Sequence, residues 1–141
     1  MYRRILVALE NSRADDTLVP HIASLASQIG AALVLVHVAD GWAARHFDDL
    51  KLAESSEMKA DRAYLEGVAG KFRAAGLAVS TELARGEPPA EIIRAASAHG
   101  CDLIAMTSHG HKLIGDLFLG STIDKVRHGT SIPLLVVRQG A

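Results

Sequence analysis

The sequence contains little that would suit a secreted, membrane-spanning or nucleic-acid-binding protein. A single cysteine, Cys101, excludes an internal disulfide and a cysteine-based zinc cluster. Its longest apolar runs fall well short of the roughly 20 residues of a membrane span, and the N-terminus lacks a signal peptide's long apolar region. Lysine and arginine (15) balance aspartate and glutamate (16), so no basic surface for nucleic acid is indicated. We therefore expect a soluble, cytoplasmic protein.

What is present fits one globular domain. The chain has 141 residues, of which 49% are hydrophobic and 22% charged. These are ordinary values for a folded domain, and a chain of this length can bury a real core. We expect residues 1–141 to form a single domain.

Short apolar runs alternate with helical patterns along the whole chain. The runs predict strands at residues 5–9, 32–38, 103–106 and 134–137, and the alternation of Val79, Thr81 and Leu83 predicts a half-exposed edge strand. Helices are predicted between them, the first capped by Thr17 so that Pro20 falls within its first turn. A long helix is predicted from about Leu52 to Ala75, and its apolar stripe consists of Met58, Leu65, Val68, Ala69 and Phe72. This alternation predicts an α/β fold, an open five-stranded parallel sheet with helices on both faces.

Ligands of such sheets bind beyond the carboxyl ends of the strands, which here are the loops after Leu9, Val38 and Met106. The third loop begins Thr107-Ser108-His109-Gly110 and, nine residues later, reaches Gly120-Ser121-Thr122 at a predicted helix start. Free N–H groups at a helix start, with neighbouring hydroxyls, can bind phosphate. The alternative is a plain connection whose glycines and serines serve only turning and capping.

Three common nucleotide and hydrolase motifs are absent. Asp116-Leu117 stands where a P-loop requires lysine and a hydroxyl residue. No G-x-G-x-x-G follows the first strand, and the chain has no G-x-S-x-G.

The chain as a whole resembles the universal stress protein family. The resemblance rests on five segments and on the glycine loop; the segments are residues 5–12, 36–40, 86–88, 101–106 and 133–138. The ATP-binding branch of that family carries G-x2-G-x9-G-S/T after the fourth strand. Gly110, Gly120 and Ser121 match this motif, whereas Thr107 stands at its first glycine.

The resemblance implies strand order 3-2-1-4-5, a Rossmann-like, adenine nucleotide alpha hydrolase-like fold, and ATP or another adenine nucleotide as ligand. Glu10 stands where the family usually has an aspartate near adenine and ribose, and Val38 where the chain contacts adenine. The nucleotide-binding residues implied are Ala8, Leu9, Glu10, Val38, Met106, Thr107, His109, Gly110, Gly120, Ser121 and Thr122. Thr107 could disfavour binding, or its hydroxyl could donate to the ligand.

The function implied is a nucleotide-binding stress-response or signalling module that works through dimerisation and ligand-dependent partner interaction. The alternative is a dimeric interaction module of the same family without nucleotide. An enzyme of similar architecture, such as a nucleotidyltransferase, would carry an H-x-G-H or S-G-G-type loop where this chain has Glu10-Asn11-Ser12-Arg13. With no general base or arginine finger evident, any ATP hydrolysis would be slow or partner-dependent.

Four other features have competing interpretations. His109 and His111 could chelate a metal, but Mg²⁺ or Mn²⁺ held through nucleotide phosphates is the better fit. His37, inside an apolar strand, is interpreted as a hydrogen-bonded structural residue, and Cys101 as a small, partly buried one. The aromatic residues of segment 40–50, Trp42 and Phe47, could cover a ligand or a partner surface, or pack under the long helix.

The last predicted strand, Leu134–Val137, is an edge in the implied strand order and consists of apolar residues throughout. An exposed apolar edge can pair with another chain. We expect a two-fold dimer through this strand.

Overall fold

The computed structural model describes residues 2–39, 56–108 and 120–139, and for residues 120 and 121 the backbone alone. The elements, in chain order, are β1 (Arg4–Ala8), α1 (Asp15–Ile29), β2 (Ala32–Ala39), α2 (Ser56–Ala74), β3 (Val79–Arg85), α3 (Pro88–Ala98), β4 (Leu103–Ser108), α4 (Gly120–Gly129) and β5 (Leu134–Arg138). The strands form a parallel sheet in the order β3-β2-β1-β4-β5, which confirms the predicted fold class and strand order.

The central strand β1 is apolar throughout because both of its faces are covered. Residues 5–8 have no exposed surface. Side chains that point to one face pack with α1 and α2, whereas those that point to the other pack with α3 and α4. A continuous run of apolar residues is typical of a parallel strand buried in this way.

The two strands next to each other at the centre, β1 and β4, send the chain to opposite faces of the sheet. After β1 the chain enters α1 and returns to β2 on one side, and after β4 it leads to α4 and returns to β5 on the other. Strand order therefore reverses between β1 and β4. A crevice forms at the carboxyl edge of a parallel sheet at such a point.

The start of α1 differs from the prediction. The helix begins at Asp15, so Thr17 is not its cap and Pro20 is its sixth residue rather than part of the first turn. Pro20 is tolerated because it lies on the exposed side, where water can solvate the Asp16 carbonyl that lacks a helical partner. The helix ends at Gly30, whose φ of 70° is left-handed.

The predicted apolar stripe of α2 is confirmed residue for residue; its buried side chains are Met58, Leu65, Val68, Ala69 and Phe72. The predicted edge position of β3 is also confirmed, since β2 is its one partner among the described strands. Cys101 is buried, and burial raises the pKa of its thiol to about 11, so the thiol stays protonated at neutral pH. No helix in the described ranges has the length and apolar character to cross a membrane.

Candidate functional site

Five of the predicted site residues meet at the carboxyl edge of the sheet, around the point where strand order reverses. The Leu9 N–H donates to the Val36 carbonyl at 2.8 Å, so the ladder between β1 and β2 continues one residue beyond β1. The register of β4 with β1 aligns Ala105 with Val7, which places the next residues of β4 at the same edge. The five residues are Ala8, Leu9, Val38, Met106 and Thr107, and all are buried.

The predicted phosphate-binding segment lies partly within the described residues. The helix α4 begins at Gly120, with Ser121 next and Thr122 buried in its first turn. That turn holds no acidic residue, so nothing in it opposes an anion at the helix start. His109 and Gly110 lie outside the described residues, as do His111 and the aromatic residues of segment 40–50.

The loop between β1 and α1 is organised by Asp15, which is 1% exposed. Its Oδ1 accepts the Glu10 N–H at 3.0 Å, and its Oδ2 accepts the Asn11 N–H at 2.8 Å. Asn11 has a φ of 58°, a left-handed conformation that asparagine tolerates better than most residues. As a first-turn residue of α1, Asp15 is also stabilised by the helix dipole.

Helix α2 reaches this loop through two side chains. The Tyr64 hydroxyl donates to Asp15 Oδ2 at 2.6 Å, and burial together with Asp15 raises the pKa of Tyr64 well above its ordinary value. Asp61 accepts a hydrogen bond from Asn11 Nδ2 at 2.8 Å, and its second oxygen lies 3.6 Å from His37 Nε2. Residues 61 and 64 are three apart and therefore share a face of the helix.

Glu10 is the predicted ribose contact, and it is held in place on its main chain and its side chain. The residue is 7% exposed, and Ser12 Oγ donates to its Oε1 at 3.3 Å. On the preceding residue, the Leu9 carbonyl accepts a hydrogen bond from His37 Nδ1 at 2.9 Å. This contact confirms the interpretation of His37 as a hydrogen-bonded structural residue.

Thr107 occupies the position of the missing motif glycine without backbone strain. It belongs to β4, where it is paired with Val137. Among the described residues other than glycine, a positive φ is found at Asn11, so Thr107 does not have the left-handed conformation. Its side chain is fully buried, and Oγ1 has no hydrogen-bond partner among the described residues. A buried hydroxyl without a partner is costly, which makes this atom a candidate contact for a ligand.

Within the described residues, no three His, Cys, Asp or Glu side chains are grouped as a metal site would require. The chemistry that the described groups offer is recognition: acceptor oxygens at Glu10, backbone donors at the start of α4, and the hydroxyl of Thr107. None of these is arranged as a nucleophile with an adjacent base.

Sequence reasoning missed Asp15, Asp61 and Tyr64. An aspartate just before a helical pattern is a helix-start signal, so Asp15 could have been found. Asp61 and Tyr64 gave no such signal, because their partners in the loop lie far away in the sequence. Tyr64 is 49 positions from Asp15, and Asp61 is 50 positions from Asn11.

Comparison with known proteins identifies relatives along the whole chain. The model of the universal stress protein family matches residues 1–138. The universal stress protein MJ0577 of Methanocaldococcus jannaschii is 24% identical, over 99% of this chain and 96% of its own. A universal stress protein of Thermus aquaticus is 29% identical, over 98% of this chain and all of its own.

Solved structures share the fold. The structure of MJ0577 superposes with a TM-score of 0.77 at 24% identity, over 100% of this chain and 99% of its own. A universal stress protein in complex with cAMP gives 0.70 at 18% identity, over 99% and 98% of the two chains. The protein of Archaeoglobus fulgidus in complex with dAMP gives 0.69 at 18% identity, over 96% and 98%.

Proposed function

The chain belongs to the universal stress protein family, and we propose that it binds an adenine nucleotide, ATP or a close relative, at the carboxyl edge of its sheet. The observation that carries this proposal is the reversal of strand order between β1 and β4, whose following helices lie on opposite faces. Nucleotides bind at that point in open parallel sheets.

The groups around the crevice suit the parts of a nucleotide. Glu10 supplies carboxylate oxygens for the ribose hydroxyls, while Ala8, Leu9 and Val38 line the end of the sheet on the adenine side. The start of α4, with Gly120, Ser121 and Thr122, supplies backbone donors for phosphate. His109 and Gly110 complete the motif in sequence. A site of this kind explains how a chain of net charge −1 can hold an anion.

Two relatives of the same fold support the choice of ligand. One is in complex with cAMP and the other with dAMP, which share adenine, a sugar and one phosphate. Met106 and Thr107, at the end of β4, are the residues of this chain that we place nearest the sugar. A divalent ion, Mg²⁺ or Mn²⁺, would be held through the phosphates rather than by protein side chains.

We further propose that the chain acts as a stress-response module that dimerises through Leu134–Val137. β5 pairs with β4 on one side. Among the described residues, the exposed large apolar side chain is Val136, at 41%. A groove of about 450 Å³ runs beside it, lined by Ile123, Asp124, Arg127, Ile132, Pro133, Leu134 and Val136. Partner proteins would then read the ligand-dependent state of the dimer.

A second candidate is a dimeric interaction module that binds no nucleotide. The observation in its favour is Thr107, whose fully buried side chain fills space that a glycine would leave open. Both candidates share the fold and the β5 edge, and they differ in the ligand alone.

The experiment that separates them is release and identification of any small molecule from the purified chain. Protein prepared without added nucleotide is denatured, and the supernatant is analysed by chromatography and mass spectrometry. We expect the supernatant to contain close to one adenine nucleotide per chain. Its absence, together with no binding at millimolar ATP, ADP, AMP or cAMP, would leave the interaction module as the function.

A further inference from the structure

We propose that Tyr64 and Asp61 of α2 are positioning residues that hold the loop after β1 in the shape needed for Glu10 to recognise the ribose. The inference rests on the proposed function, because it assigns a role to residues behind that same site. Neither side chain needs to touch the nucleotide. Each acts through a residue of the loop, Tyr64 through Asp15 and Asp61 through Asn11.

The first connection fixes the backbone of the loop. Asp15 accepts the Glu10 and Asn11 N–H groups on separate oxygens, at 3.0 and 2.8 Å. A buried carboxylate needs donors in place of water, and the Tyr64 hydroxyl is its third, at 2.6 Å. Removing that hydroxyl leaves Asp15 freer to turn, and both N–H groups lose a fixed acceptor.

The second connection fixes the residue that follows Glu10. Asn11 is left-handed, with a φ of 58°, and its side chain donates to Asp61 Oδ1 at 2.8 Å. The other oxygen of Asp61 faces His37 Nε2 at 3.6 Å, while His37 Nδ1 donates to the Leu9 carbonyl at 2.9 Å. The Asn11 side chain is therefore tied directly to α2, and the Leu9 carbonyl is held by His37, whose ring lies beside the same face of that helix.

The contacts from α2 reinforce a loop that local residues already hold. Within the loop, Asp15 accepts the Glu10 N–H at 3.0 Å, and the Ser12 hydroxyl donates to the Glu10 carboxylate at 3.3 Å, a long contact. The connections from α2 cross 49 and 50 residues, so they exist only when the helix is docked. Recognition groups are precise when such a second set of contacts holds them, and they lose precision when it is removed.

The test compares ATP with 2′,3′-dideoxy-ATP, which lacks both ribose hydroxyls, by calorimetric titration of the full chain. The dissociation constant of dideoxy-ATP divided by that of ATP measures ribose recognition, and a lower ratio means that less recognition remains. We expect Tyr64→Phe to weaken ATP binding about fivefold and to leave dideoxy-ATP binding within about twofold. The matched control is Tyr2→Phe, a tyrosine packed against the same core at the opposite end of β1. We expect it to change neither constant.

A double-mutant cycle links the effect to Glu10. In a Glu10→Ala background, Tyr64→Phe should have no further effect on the ratio, because the group that it positions is gone. Asp61→Ala, which removes the other connection, should lower the same ratio in an otherwise unchanged chain. Each variant is checked for folding by its circular dichroism spectrum and thermal transition.

The outcomes separate this inference from the proposed function. Suppose that the unaltered chain binds ATP, and that Tyr64→Phe and Asp61→Ala weaken the binding of ATP and of dideoxy-ATP equally. The two residues are then merely structural, so the inference is overturned while the proposed function stands. If Tyr64→Phe lowers the ratio as much in the Glu10→Ala background, positioning of Glu10 is also refuted. If the unaltered chain binds neither nucleotide, the proposed function fails and the inference fails with it.

Discussion

The phenol oxygen of Tyr64 lies 2.6 Å from Oδ2 of Asp15, 49 positions away in the sequence. That hydrogen bond joins the middle of α2 to the first residue of α1, and through Asp15 to the backbone of Glu10 and Asn11. The loop after the central strand is therefore set by a long-range contact as well as by its own residues.

We predict that Asp15→Ala destabilises the chain substantially. The substitution leaves two backbone N–H groups and one hydroxyl without their acceptor, at a site that is 1% exposed. The expected loss is about 3 kcal/mol of unfolding free energy, measured by urea denaturation. The control is Asp16→Ala, the exposed neighbour in the same helical turn, for which we expect less than about 1 kcal/mol. Equal effects at both positions would contradict the role given to Asp15.

We predict that Thr107→Val stabilises the ligand-free chain. Valine has the same shape, and it removes a buried Oγ1 for which the described part of the chain offers no hydrogen-bond partner, so the free energy of unfolding should rise by about 1 kcal/mol. Thr81→Val is the matched control, since it removes a hydroxyl that donates to Glu66 at 2.7 Å and should not stabilise. If the Thr107 hydroxyl also meets the nucleotide, the same variant should bind ATP more weakly. A Thr107→Val chain of lower stability would show that the hydroxyl has a partner after all.

We predict an acid-sensitive contribution from Asp102. The backbone N–H of Arg3, and that of Arg4, donate to its carboxylate and hold the pKa below its ordinary value of 3.8. A lowered folded-state pKa gives stability that is present above about pH 4 and is lost as the pH falls through the folded-state value. The Tm of Asp102→Asn should therefore lie below that of the unaltered chain at pH 7, and the difference between the two Tm values should become smaller below pH 4. A Tm difference of the same size at every pH would contradict this account.

We predict that Val136→Lys converts the proposed dimer to monomers. The new charge would be placed on the exposed side of β5, where pairing with a second chain would bury it. Light scattering at fixed concentration measures the change. Gln28→Lys, on the exposed side of α1, adds the same charge elsewhere and should leave the dimer intact. A dimer that survives Val136→Lys would move the interface away from this edge.

The fold could be predicted because its determinants are local patterns of apolar residues. The run Ile5–Leu9 indicated a strand buried on both faces, and the spacing of Met58, Leu65 and Phe72 indicated the buried stripe of α2. Element boundaries depend on more than this pattern. The predicted start of α1 is wrong because the rule about Pro20 assumes that the Asp16 carbonyl needs a helical partner, whereas water can solvate that carbonyl on an exposed face.

The site could be predicted in part. The carboxyl ends of parallel strands share one edge of the sheet, so the pattern of strands predicts that Leu9, Val38 and Met106 lie there. The same pattern does not predict the backbone conformation of Thr107. The supporting contacts of Asp15, Asp61 and Tyr64 depend on how α2 docks against the loop. Such contacts leave no local pattern, since each partner alone is an ordinary polar residue on a helix.

The most direct test of the central claim is calorimetric titration of the chain with ATP, together with two glycine variants. We expect one nucleotide per chain for the unaltered protein. Gly120→Val, at the start of α4, should abolish binding without unfolding the chain. Gly70→Val, on α2, should leave binding unchanged, because a Cβ there meets no atom of the described residues within 4 Å. Absence of binding by the unaltered chain at millimolar ATP, or full affinity in Gly120→Val, would contradict a nucleotide site at this edge of the sheet.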